Sequence, residues 1–175
     1  EEHMRNTLLA ASAALLLAAG PAAAQQKTIK IGFISTFSGP VAVIGNDMRN
    51  SFELALDHLG RKMGGIPVEV IYEDDGFKPE VGKQKTDKLI ESDKVDFLTG
   101  YIWSNVLLAS LKSAVDSKTF LITANAGPSQ IAGEQCSPFF FSTSWQNDQT
   151  PQAMGTYMTQ KGVKTAFLIG PNYAA

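Results

Sequence analysis

The chain has 175 residues, with 15 Lys or Arg, 17 Asp or Glu and 2 His, for a net charge of −2. That balance argues against nucleic acid or an anionic membrane surface as a partner. A single cysteine, Cys136, excludes an intrachain disulfide, and 2 histidines cannot build a His-rich metal site.

The first segment reads as an export signal. Met4-Arg5-Asn6 is a basic start, Leu8 to Ala19 an apolar core, and Pro21-Ala22-Ala23-Ala24 a small-residue exit before Gln25. The apolar run is shorter than the roughly 20 residues that span a bilayer, which speaks against a membrane anchor. Residues 4–24 are therefore expected to be a signal peptide, with the mature protein starting near Gln25 outside the cytoplasm. Glu1-Glu2-His3 fits no export signal and reads as a cloning remnant or a misassigned start. The leader removes His3, so His58 is the one histidine left, and a His-based catalytic triad would need it. It falls in a helical pattern and reads as a surface or half-buried residue.

Strand and helix patterns alternate from there on. Strands are expected at 27–34, 66–72, 95–99, 119–123 and 164–170, with a further apolar segment at 139–142. Helices are expected at 46–63, 78–92, 104–117 and 148–160. In the first helix Met48, Phe52, Ala55 and Leu59 fall at helical spacing, and Gly64-Gly65 ends it. Pro79 suits the first turn of the second helix, and Ser104 or Asn105 is a possible cap of the third. Such alternation predicts βαβ units, an α/β fold with a mostly parallel sheet and helices on both faces. A parallel strand at 164–170 calls for a covering helix, so the chain reads as a truncated piece.

In open α/β sheets ligands sit beyond the carboxyl ends of the strands. Four loops are expected there: 35–40, 73–77, 100–105 and 123–129. They carry small residues, hydroxyls and the aromatics Phe37, Tyr101 and Trp103, which suit an apolar pocket. A helix beginning at Ser104 offers amide donors and a partial positive charge to an anion. Each feature has a plainer reading: Ser104 as a cap, Trp103 as core, Gly127-Pro128-Ser129 as a turn. Asp74 and Asp75 are adjacent on a strand, so their side chains point to opposite faces and do not share a proton. No phosphate-binding loop, nucleophile elbow or zinc motif is present, and no cofactor or metal is expected.

Five segments in order carry a resemblance: IKIGFISTFSGPVAVIG, GGIPVEVIYEDDGFKPE, TGYIWSN, FLITANAGPS and TAFLIGPNYAA. Together they resemble the periplasmic solute-binding proteins of ABC importers, in the branched-chain amino-acid (leucine/isoleucine/valine-binding) family. The resemblance implies two α/β lobes of periplasmic-binding-protein type I joined by a hinge. Residues 25–147 would be the first lobe, and 148–175 a crossover helix and the first strand of a truncated second lobe. It implies that Ser104 and the amides of Asn125, Ala126 and Gly127 hold a ligand carboxylate. Phe37, Ser38 and Trp103 would line the cleft, and Tyr173 would close over the ligand from the second lobe.

Amino-acid binders of the family carry Ala-Thr where this chain has Ala126-Gly127, and the missing hydroxyl disfavours an α-ammonium group. Phe77 and Trp103 appear where some members have a disulfide. With WSN, NAGPS and STSWQND, the chain is similar to the branch that captures aromatic or other hydrophobic carboxylic acids. The implied partners are a small carboxylate and a membrane permease, with no nucleic acid, and the full-length protein is expected to be a monomer. Two rival readings remain: a sensor domain of a receptor or amide-type regulator with the same fold, and an exported α/β hydrolase.

Overall fold

The structure is a computed structural model that describes residues 27–170. The expected signal peptide at 4–24 and Tyr173 lie outside the described residues. Six strands form one sheet: β1 (Ile29–Ser35), β2 (Lys62–Met63), β3 (Ile66–Asp74), β4 (Phe97–Gly100), β5 (Phe120–Thr123) and β6 (Phe140–Ser142). The helices are α1 (Ala42–His58), α2 (Pro79–Glu91), α3 (Ser104–Asp116) and α4 (Gln149–Gln160), with a 3-10 turn at Ser129–Ala132. Strand order is β2-β3-β1-β4-β5-β6, and every pairing is parallel except β2 with β3. The chain steps from β1 outward to β3, then returns to the other side of β1 as β4. The loops after β1 and β4 thus diverge, leaving a crevice at the switch point.

Helices cover both faces. On one, Ile34 of β1, Leu98 of β4 and Leu121 of β5 meet Leu89 of α2 and Val106 and Leu107 of α3, all with no solvent exposure. Helices α2 and α3 approach closely at Gly82, where a Cβ would lie 2.3 Å from Val106 Cγ1. On the other face α1 packs Phe52 against Phe33 of β1, ring centroids 5.3 Å apart, and Phe33 meets Tyr72 of β3 at 5.2 Å.

The structure corrects four expectations. The first helix ends at His58 instead of 63, because Lys62 and Met63 pair with Pro67 and Ile66 as β2. Gly64 and Gly65, at φ +57° and +82°, make the two-residue turn of that hairpin, which needs positive φ at both positions. The helix turns Gly45 and Leu56 inward, while Ala55 and Leu59 face solvent. Tyr101 is no pocket wall: it is fully buried, with its hydroxyl 2.8 Å from Thr86 Oγ1. The strand expected at 164–170 does not form, since no neighbouring strand offers a ladder; Phe167, Leu168 and Ile169 are nearly fully exposed. Helix α4 does form, with no buried residue. His58 is exposed. Among the described residues no helix is long and apolar enough to cross a membrane.

Candidate functional site

The loops after β1, β3, β4 and β5 meet beyond the carboxyl ends of the strands. Gly100 and Tyr101, at φ +99° and +55°, bend the chain sharply as it leaves β4. Gly100 is required there, because a Cβ would lie 2.1 Å from the Ile34 carbonyl oxygen. The bend buries Tyr101 and turns Trp103 back over the β1 loop. The Trp103 indole Nε1 donates to Thr36 Oγ1 at 2.9 Å. Its ring leans on Phe77 from the β3 loop, centroids 4.5 Å apart and planes tilted by 52°.

Helix α3 starts directly behind this pair. Trp103 is its N-cap residue in extended conformation, with no side-chain cap bond, so Ser104 is the first helical residue and not the cap. Asn105 Oδ1 accepts the Val106 amide at 3.0 Å. The amides of Ser104 and Asn105 have no carbonyl one turn back to donate to, as at every helix start. Ser104 is buried, and its Oγ accepts from Asn147 Nδ2 at 3.0 Å, which leaves its own O–H to donate elsewhere.

The loop after β5 closes the third side. Asn147 N donates to the Gly127 carbonyl at 2.8 Å, so one residue ties Ser104 to Gly127. A Cβ on Gly127 would lie 2.0 Å from the Trp145 carbonyl oxygen, so the two segments touch backbone to backbone. The expectation that three successive amides face a ligand is corrected at Ala126, whose N–H donates to Tyr101 O at 3.0 Å. The Gly127 amide donates to no acceptor among the described residues.

Phe37 and Ser38 fall on the outer side of the cluster. Phe37 packs on Phe33 and Tyr72, and its amide donates to Asp74 Oδ1 at 2.9 Å. Ser38 is exposed and bonds Asp74 through its side chain. Burial pushes Asp74 up, but bonds from Ser38 and from the Phe37 and Gly76 amides outweigh it and hold the carboxyl below its ordinary range. Asp75 goes the other way. Burial raises it, and Thr36 and the Phe77 amide offset this only in part. An open groove of about 360 Å³ lies between Gly127, Ile131, Phe140 and Trp145. Of the donor cluster it touches only Gly127, so it is a neighbouring hollow and not the place where the donors converge.

Sequence reasoning did not single out Thr36 or Asn147, and it weighed Asp75 only as half of an adjacent carboxylate pair. The STSWQND segment carried Asn147 among the matching motifs, but nothing local marks a residue 43 positions from its partner.

A switch-point crevice with an open helix start, a free loop amide and an aromatic wall defines a ligand-binding α/β lobe. The chain belongs to the periplasmic binding protein family, whose model matches residues 28–175. A similar curated protein is the Leu/Ile/Val-binding protein homolog 6 of Brucella abortus, 28% identical over 166 residues, 94% of this chain and 42% of that protein. An ABC transporter substrate-binding protein from Sphaerobacter thermophilus is 36% identical with a TM-score of 0.69, covering 77% of this chain and 37% of that one. A solute-binding protein of an ABC transporter from R. palustris, solved in complex with benzoate, is 33% identical with a TM-score of 0.75, covering 79% and 38%. The chain thus spans less than half the length of the relatives it matches. The family is one of binding proteins and not of enzymes, which removes the hydrolase reading.

Proposed function

We propose that the complete protein is the periplasmic substrate-binding protein of an ABC importer, and that residues 25–147 form the first of two lobes. The lobes close on the ligand about a hinge, and the closed form docks on a membrane permease. The ligand is a small carboxylate with an aromatic or hydrophobic body. The observation that carries this reading is the donor set at the start of α3. Ser104 O–H, the Ser104 and Asn105 amides and the Gly127 amide are all donors without an assigned acceptor, at the positive end of a helix dipole. The Trp103–Phe77 pair beside them offers an apolar wall. The benzoate-bound relative supports the aromatic choice, and the Leu/Ile/Val-binding relative supports the rival amino-acid ligand. Residues 4–24 serve as the export signal, and Tyr173 closes over the ligand.

Calorimetry on the complete protein with benzoate, benzamide and leucine tests the reading. Benzoate binds best, and Ser104→Ala weakens it by about 1.5–3 kcal/mol, the scale of a hydrogen bond to a charged group. Benzamide binding as well as benzoate rejects the carboxylate grip; leucine binding better than benzoate rejects the aromatic ligand.

A further inference from the structure

Asp75 is fully buried at the end of β3, one residue beyond the strand, and the proposed ligand grip makes no use of it. We propose that Asp75 sets the site's preference for flat ligands without touching them, by fixing Phe77 and Trp103 as one preformed wall. The inference rests on the carboxylate-binding reading above.

Two hydrogen bonds run from one oxygen. Thr36 Oγ1 donates to Asp75 Oδ1 at 2.5 Å, and the Phe77 amide donates to the same atom at 2.8 Å. A hydroxyl has one hydrogen and two lone pairs. With its hydrogen committed to the carboxylate, Thr36 can present only lone pairs to the Trp103 indole N–H, which donates to it at 2.9 Å. Without that acceptor the hydroxyl rotor is free, and any orientation that aims its hydrogen at the indole N–H opposes the bond. Thr36 has no freedom to drift: it is fully buried, and α1 presses on it so closely that a Cβ at Gly45 would lie 2.0 Å from the Thr36 carbonyl oxygen.

The second bond acts on backbone. Phe77 sits at φ +63°, a left-handed conformation unfavourable for an aromatic residue. Its amide bond to Asp75 holds it there, which brings its ring to 4.5 Å from Trp103. Both rings therefore depend on one carboxylate oxygen.

Asp75 is a poor choice as a stabiliser. Its Oδ2 is buried and has no hydrogen-bond partner among the described residues, so part of the desolvation cost is not offset. What a carboxylate supplies over a neutral acceptor is a stronger bond to each donor. The neighbouring Asp74 does different work: its bonds go to Phe37, Ser38 and Gly76 and close the loop on the outer side.

The test uses the complete protein and two acids that share a carboxylate and a ring size, flat benzoate and puckered cyclohexanecarboxylate. The preference for benzoate falls about tenfold in Thr36→Val, the equivalent of one lost hydrogen bond, about 1.4 kcal/mol. Asp75→Asn lowers it in the same direction, and Thr36→Ser, which keeps the hydroxyl, retains it. The indole N–H resonance of Trp103, assigned by its loss in Trp103→Phe, moves in Thr36→Val and Asp75→Asn and stays in Thr36→Ser. Equal weakening of both acids in Thr36→Val, or an unmoved indole resonance, overturns the proposal. If the wild-type protein binds neither acid, the ligand reading fails by itself, and the indole resonance alone decides whether the wall is fixed as described.

Discussion

The two faces of the sheet are made of similarly apolar strands and have opposite fates. Leu98 and Leu121 point to the α2–α3 side and are fully buried. Their strand neighbours Phe97 and Phe120 point the other way, stack on each other at 6.1 Å, and stay partly open, Phe120 at 38% and Phe141 of β6 at 51% exposure. Helix α1 accounts for the difference, since it packs Phe52 on Phe33 of β1 and accepts the Tyr72 hydroxyl of β3 through Glu53, leaving most of the β4–β6 half of that face bare. Central parallel strands are apolar on both faces because both are normally covered. Hydrophobicity therefore marks where a cover belongs, and burial shows which covers this chain brings itself.

The sharpest way to break that comparison is a pair of truncations one residue apart on β4. Leu98→Ala removes a side chain with no exposure and is expected to cost about 2–5 kcal/mol. Phe97→Ala, on the bare half, is expected to cost under about 1.5 kcal/mol, below the range for buried aromatics. Urea denaturation of both variants measures this; equal losses mean that the two faces are equally finished.

Next in size is Gly127→Ala. The added methyl meets the Trp145 carbonyl at 2.0 Å, so the loop after β5 must move away from the segment before α4. A loss of about 1–3 kcal/mol is expected in the same denaturation experiment, the usual scale of overpacking. A neutral result places the contact on a yielding edge instead of on the finished side.

Phe141→Lys probes the bare half from the other direction. Exposed apolar groups contribute little to stability, so a change within about 0.5 kcal/mol is expected, together with a higher solubility limit. A large destabilisation shows that the face is covered in solution.

The smallest effect is electrostatic. Burial pushes Glu73 up, but bonds from Lys85 and Lys88, each at 2.7 Å, outweigh it and lower its titration point. A lowered carboxylate stabilises the fold above its unfolded pKa of 4.5, and the contribution disappears as pH falls through the folded value. Asp75, raised by burial, has the opposite sign: its contribution is present in acid and lost as pH rises through its folded value. Glu73→Gln therefore flattens the acid limb of a stability–pH curve, by about 0.5–1 kcal/mol for such partly exposed pairs. An unchanged acid limb removes this pair from the account.

Most of the layered order was legible because periodicity reports burial. Helices α2, α3 and α4 and strands β1, β3, β4 and β5 fall within two residues of the expected bounds. Strand β2 and its hairpin pairing with β3 were not, since a two-residue strand has no period and Gly64-Gly65 serves equally as helix stop and turn. Tyr101 was misjudged because an aromatic in a loop after a strand resembles a pocket wall; only the paired positive φ values at Gly100 and Tyr101 turn it inward. Residues 164–170 have a strand's composition, but a strand is a pairing, and pairing is not written in one segment. At the site, Trp103, Ser104 and Gly127 stood out through their loops. Thr36 and Asn147 act through partners 39 to 67 positions away and leave no local mark, and Asp75 drew notice only as a carboxylate beside Asp74, its bond to Thr36 being 39 positions distant.

The lone thiol has a practical meaning. Cys136 is exposed in the stretch that leads into β6, beside Leu111 and Val115 near the end of α3. Helix α3 begins at the donor cluster and runs back along the sheet, so its far end lies at the opposite pole of the lobe. Within this lobe, a maleimide dye or a surface tether attached there would report or anchor the protein from behind, leaving the mouth of the crevice clear for a freely diffusing analyte.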